Sequence, residues 1–191
     1  MRIITASFLL VFSNVSAFAQ DTGDVFADTA NGAKQHVASG FVCPPMISRF
    51  ERDAVGERDP GAGSDFCAYS ALEGVYGTVT LIPLKGPYDP KTALVPDFIE
   101  QEGIGGKMIG EATLKIGAGG GPFQVYTRSY NTSALADIQY RVLFAGSAVG
   151  NWAVQVTVEY ASPRDDALAR DFLNLVYAGA LSEIAAVKPA P

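Results

Sequence analysis

His36 is the only histidine in the 191-residue chain, and that fact limits the available chemistry. One imidazole excludes a multi-histidine zinc site, and the oxygen ligands are scattered without a recognisable metal spacing. A Ser-His-Asp hydrolase could draw on His36, but the chain lacks the G-x-S-x-G elbow that exposes a nucleophilic serine on a strained strand-to-helix turn. His36 is therefore expected at a strand edge or on the surface. Two glycine runs, Gly103-Ile104-Gly105-Gly106-Lys107 and Gly117-Ala118-Gly119-Gly120-Gly121, resemble phosphate cradles at first sight. The first has Gln101 where a P-loop begins with glycine and Met108 where its hydroxyl belongs. The second leads into Pro122 and a strand, whereas phosphate capture uses a helix N-terminus. Both read as strand connections, or as a flap over a groove.

The carboxylates give no catalytic pattern either. Asp59, Gly61, Gly63 and Asp65 have the spacing of a calcium loop, but glycines stand where that loop needs oxygen side chains. Asp165 and Asp166 suit the positive end of a helix dipole. No catalytic, cofactor-binding or metal-ligating set is assigned, and no cofactor is expected. One aromatic group is more suggestive: Tyr126, Tyr130, Tyr140, Trp152 and Tyr160 fall on adjacent predicted strands. They would form either a ligand-binding face or the core beneath the last helix, and core packing is the favoured use, because large aromatics dominate burial in a domain of this size.

Cys43 and Cys67 are the only cysteines, an even count that suits one structural disulfide in an exported chain. Export is indicated by the N-terminus. Met1-Arg2 is basic, Ile3 to Phe12 is apolar, and Ala17-Phe18-Ala19 is a small-residue cleavage site. An apolar run of that length falls short of the roughly 20 residues a membrane span needs. The protein is expected to be periplasmic or secreted, cut after Ala19, with no integral membrane segment thereafter. Cleavage removes one cation and no acid, moving the formal net charge from -6 to -7. Such a balance excludes a general electrostatic grip on nucleic acid.

The elements that must position these residues follow from periodicity. Residues 20–35 are polar and acidic without an apolar period and read as a mobile leader, residues 36–184 as a single domain, and 185–191 as a tail. Strands are predicted over His36–Val42, Ile47–Ala54, Phe66–Leu72 and Tyr76–Leu84, the last two paired across Glu73-Gly74, with a turn-rich loop over Gly56–Asp65. Asp89-Pro90 starts a helix, Pro96 kinks or restarts it, and Gly103 stops it. Four strands follow over Lys107–Ile116, Phe123–Asn131, Ile138–Ala145 and Trp152–Tyr160, the last two joined by a loose loop over Gly146–Asn151. Ser162-Pro163 opens a final helix with Leu168, Phe172, Leu175 and Val176 on one face, which must cover the sheet face carrying Trp152, Val154 and Val156. The fold class is α+β: a mainly antiparallel β-sheet covered by helices, including a C-terminal amphipathic helix.

This layout, with Ser39-Gly40-Phe41-Val42-Cys43-Pro44, the Cys67-Ala68-Tyr69 strand, the Thr78 to Pro83 strand, the Trp152 to Val158 strand and the Ser162-Pro163 helix, resembles uncharacterised exported proteins of alphaproteobacteria. More distantly it resembles the PsbP-like α+β sandwich. The resemblance implies a helix-covered antiparallel sheet and a non-catalytic accessory role, and carries over no functional residue. Export, one disulfide and the missing catalytic patterns point to a soluble periplasmic accessory or binding protein. The alternatives are a carrier of a small apolar ligand under a glycine-rich flap, and a small secreted hydrolase. The expected partner is a protein or a small apolar ligand.

Overall fold

A computed structural model describes residues 24–72, 74–116, 123–135 and 138–184. The signal segment, residues 20–23 of the leader, Glu73, the second glycine run and the 185–191 tail lie outside the described residues.

The chain forms β1 (Phe26–Asp28), β2 (Lys34–His36), β3 (Val42–Cys43), β4 (Met46–Ile47), β5 (Phe50–Asp59), β6 (Ser64–Ala71) and β7 (Val75–Pro83). Two short helices follow, α1 (Pro90–Ala93) and α2 (Val95–Gly103). Then come β8 (Lys107–Lys115), β9 (Gln124–Leu135), β10 (Ile138–Val149), β11 (Trp152–Ser162) and α3 (Asp166–Glu183). All pairings are antiparallel. The main sheet has eight strands in the order β4-β5-β6-β7-β11-β10-β9-β8, and β1-β2-β3 make a small second sheet. The α+β class stands, with more strand and less helical cover than the sequence suggested.

The two faces of the main sheet follow from side-chain alternation. Val79, Val154, Val156 and Val158 point to one side, where Leu168, Phe172, Leu173, Val176 and Tyr177 of α3 cover them. Gly77 makes this contact possible: the Phe172 ring lies so close that a Cβ at position 77 would sit 2.6 Å from it. Leu175, assigned by spacing to the inner face of the helix, is 50% exposed, and Leu173 and Tyr177 take that role. Helix α3 also begins later than Ser162. Residues 163–165 form a turn in which the Asp165 N–H donates to the Ala161 carbonyl, and Asp166 supplies the acid in the first helical turn.

Several strands differ from their predicted bounds. Val42 does not continue the His36 strand, because a turn with Gly40 at φ 77° folds the chain back and makes a pair of short strands. The stretch read as a leader holds β1 and β2, since Phe26 packs into the core and its register with His36 completes the small sheet. Strand β5 runs through the predicted loop as far as Asp59, pairing with β6 across two register shifts that a strict period-two reading does not anticipate. Trp152 and Val149 are paired, so the β10–β11 connection is a tight turn with Gly150 at φ 56°.

The small sheet is fixed to the main one by several bonds. Cys43 of β3 is disulfide-bonded to Cys67 of β6. Glu183 of α3 accepts from the Val42 N–H at 2.7 Å, and Arg52 donates to the carbonyls of Cys43 and Gly32. Among the described residues, no helix is long and apolar enough to cross a membrane.

Candidate functional site

The other face of the main sheet carries α1 and α2. Asp89 accepts from the Lys91 N–H at the start of α1, and Pro96 lies in the first turn of α2, so the chain stops and restarts at Leu94. Leu94 and Phe98 then point down onto Tyr126, Tyr130, Val142 and Phe144, forming a second small core. Gly146 lets α1 approach, since a Cβ there would lie 2.9 Å from the Tyr88 hydroxyl and 3.2 Å from Pro90. Charge fixes the helix from the side: Lys91 of α1 reaches Glu111 of β8 at 2.6 Å, and Arg128 of β9 reaches it at 2.9 Å while stacking on Phe98. Hydrogen bonds from Lys91 and Arg128 pull the Glu111 carboxyl down to about 2.

These helices cover β9 and part of β10 but not the same face of β6, β7 and β11. The uncovered part is a groove of about 640 Å³, with α2 as one wall. Its floor is set by register: Ala68 is opposite Thr78, Thr78 opposite Thr157, and Thr157 opposite Phe144, so these four make one row across four strands. Phe66 lies beside that row. Arg58, Glu159, the α2 residues Asp97, Glu100 and Gln101, and Ile104 just past the end of α2 form the rim and wall. Asp97, Glu100 and Gln101 share a helix face by their three- and four-residue spacing.

The polar groups of this wall are incompletely matched. Arg58 donates to Thr80 at 3.0 Å and stands 3.7 Å from Asp97. Burial raises the Asp97 carboxyl above its ordinary range; Arg58 opposes that rise and Glu100 adds to it. Gln101 is 7% exposed, and its Nε2 has no hydrogen-bond partner among the described residues. Its side chain lies against Gly106, where a Cβ would come within 2.7 Å of Nε2, so glycine is required there. The first glycine run thus follows the groove wall directly, with Ile104 lining the groove and Gly106 bonded back to the Gln101 carbonyl.

The lone histidine lies on the opposite face and is not at the surface. His36 is 1% exposed, tucked between Phe26 and the edge of Trp152. Its Nδ1 accepts from the Ser39 hydroxyl at 2.7 Å and from the Ser39 N–H at 3.2 Å, which leaves Nε2–H to donate to Asp65 at 2.8 Å. The Ser39 oxygen in turn accepts from the Phe41 N–H. The order Ser39, His36, Asp65 has the components of a hydrolytic relay. All three are buried and none lines the groove, and the Ser39 oxygen is committed on both sides. In this arrangement the chain of bonds joins β2 of the small sheet to β6 of the large one. Burial lowers the His36 pKa, with Asp65 acting in the opposite direction, so the ring is neutral at neutral pH.

The five aromatics do not make one face. Tyr126 and Tyr130 are buried under Phe98 of α2, whereas Trp152 and Tyr160 turn to the α3 side, because the antiparallel register pairs Tyr160 with Arg141 and not with Tyr140. Tyr140 and Tyr160 meet only at the end of the sheet, lining a smaller cavity of about 430 Å³. Asp59 and Asp65 do not converge: Asp59 accepts from the Gly61 and Ala62 N–H groups and closes a turn, while Asp65 holds His36.

The Trp152, Val154 and Val156 face read from the sequence leaves Thr157 and Glu159 on the other side by alternation, but nothing in that reading reached Phe66, Ala68, Thr78 or Gln101 as site residues. The available signal was alternation in β6, β7 and β11 combined with a helix pair too short to cover four strands. No protein-family model matches the sequence, and no curated protein matches it.

Proposed function

We propose that the protein is an exported binding protein, cut after Ala19 and working in the periplasm or outside the cell, whose ligand site is the groove beside α2. The observation that carries this reading is the half-covered face of the main sheet. At about 640 Å³ the groove falls within the range of small-molecule sites, about 300–1,000 Å³. Its apolar floor, Phe66, Ala68 and Phe144, is surrounded by convergent hydroxyl, amide and carboxylate groups, the combination that gives such sites affinity and orientation. A wholly apolar ligand would leave those polar groups unpaired, and the apolar-carrier reading finds better support in a smaller cleft of about 320 Å³ beside α3, lined by Phe41, Pro44, Met46 and Leu175.

Thermal unfolding in the presence of hexoses, amino sugars, aliphatic amines, alcohols and fatty acids tests the assignment, because a ligand of the native state raises Tm by mass action. Ala68→Trp fills the groove floor without touching the α3 face. The expected result is that one compound class raises Tm of the wild type and leaves the Ala68→Trp protein unchanged. Equal stabilisation of both proteins, or a response to fatty acids alone that Ala68→Trp preserves, would move the site to the cleft beside α3.

A further inference from the structure

Strand β8 forms one end of the main sheet, and its outer edge has no strand partner among the described residues. The register fixes which backbone groups are left open. The Ile116 N–H donates to the Phe123 carbonyl and the Ala112 carbonyl accepts from the Thr127 hydroxyl, so Ala112 and Leu114 turn their backbone groups to β9. By antiparallel alternation Glu111, Thr113 and Lys115 turn theirs outward. All nine residues of β8 are exposed. The opposite edge of the sheet, β4, is only two residues long. A long open edge is a template for an added strand.

The flanks of this edge restrict what can pair with it. Met108 lies opposite Tyr130 and so shares the α2 face of the sheet. Val95, Ile99 and Glu102 share, by their four- and three-residue spacing, the side of α2 turned away from the groove. Glu102 accepts from the Tyr130 hydroxyl at 2.9 Å, which sets that side above β9 and toward β8. Val95, Ile99 and Met108 are exposed there as an apolar shoulder along the edge. Charge adds an independent constraint. Strand β8 ends in Lys107 and Lys115, neither in an ion pair among the described residues, and its single acid, Glu111, is held by both Lys91 and Arg128. The edge is thus locally cationic in a chain whose formal net charge is -6. A second copy would set these lysines against each other, or against a carboxylate already bonded twice, and like charges opposite one another destabilise a strand pair. A strand carrying carboxylates meets the lysines without that repulsion.

We propose that the β8 edge receives an extended, acidic segment of a partner protein as an added strand of the main sheet. The backbone of that segment bonds to Glu111, Thr113 and Lys115, its carboxylates lie at Lys107 and Lys115, and its apolar side chains on the α2 side rest on Val95, Ile99 and Met108. This surface is separate from the groove, because β9 and β10 stand between β8 and the groove strands β6, β7 and β11.

Two peptides of alternating valine and threonine test it, one with glutamate and one with lysine at both ends, titrated into the full-length exported protein and followed by amide hydrogen exchange. The acidic peptide should slow exchange of the Glu111, Thr113 and Lys115 N–H groups and leave Ala112 and Leu114, already bonded to β9, unchanged. The lysine peptide should bind about tenfold more weakly. Thr113→Pro removes an outward N–H that β9 does not use, a position where an edge strand tolerates proline. It should abolish the protection while the resonances of Val125 and Thr127 on β9 stay in place. Lys115→Glu leaves the backbone intact and should weaken the acidic peptide by about tenfold, so it decides the outcome if Thr113→Pro loosens β8. No protection by the acidic peptide, or equal binding of the two peptides, would overturn the proposal. Protection of the same N–H groups that rises with protein concentration alone would also overturn it and give the edge to a second copy.

Discussion

The buried His36 should make folding stability depend on pH in a direction and over a window fixed by its surroundings. In the folded protein the ring is neutral, Nε2–H donating to Asp65 and Nδ1 accepting from Ser39, and burial depresses its pKa. In the unfolded chain an exposed histidine titrates near the ordinary value of 6.5. Above that pH neither state binds the proton and the full stability is present. As pH falls through 6.5, the unfolded chain gains a proton that the folded chain refuses, and stability declines until the folded pKa is reached. One proton is worth about 1.4 kcal/mol per pH unit, so between pH 7.5 and 5.5 the loss from this residue reaches at most about 1.4 kcal/mol. Asp97 and Glu183 titrate with the opposite sign, because burial raises both carboxyls and protonation on the acid side relieves them. The assay is therefore urea unfolding at five pH values for the wild type and for His36→Gln, with the difference between the two curves isolating the histidine. His36→Gln should also lower stability at pH 7.5 by about 1–3 kcal/mol, the cost of leaving buried partners unsatisfied. Parallel curves for the two proteins across pH 7.5 to 5.5 would refute the reasoning and place His36 in contact with water.

Three further perturbations address the framework around the groove. Cys43→Ala with Cys67→Ala opens a cross-link between residues 24 apart, and denaturant unfolding should show a loss of about 3.5 kcal/mol by the chain-entropy relation. Gly77→Ala drives a methyl group into the Phe172 ring at 2.6 Å and should destabilise by about 1–3 kcal/mol, read as a lower urea midpoint at unchanged slope. Phe98→Ala empties the small core beneath α2 at a cost of about 3–5 kcal/mol, and since α2 is the groove wall, ligand-induced stabilisation should disappear with it.

The outline of the main sheet was legible where alternation is strict. The paired strands over Phe66–Leu72 and Tyr76–Leu84, the four later strands, the proline-restarted helix and the helix over Trp152, Val154 and Val156 all follow from period and capping chemistry. Short pairings defeated the same reasoning. Strands β1 to β3 hold two or three residues each, too few to show a period, and depend on Phe26, the disulfide and the His36–Asp65 bond for their place. The His36, Ser39 and Asp65 set was invisible for a related reason: Asp65 is 29 residues from His36, and only the register of β6 brings it near. The groove was harder still. Alternation shows which residues face away from α3, but how far a helix pair extends over a twisted sheet is a tertiary quantity. Tyr126 and Tyr140 looked like one surface because sequence order alone does not reveal that α2 covers the first and stops short of the second.

Chemical-shift mapping of the compound panel on the wild type and on Ala68→Trp is the most direct test of the groove as the ligand site. Binding should displace resonances of Phe66, Thr78, Gln101 and Thr157 in the wild type and leave the Ala68→Trp spectrum unmoved. Shifts confined to Met46, Leu175 and their neighbours beside α3, unaffected by Ala68→Trp, would contradict it.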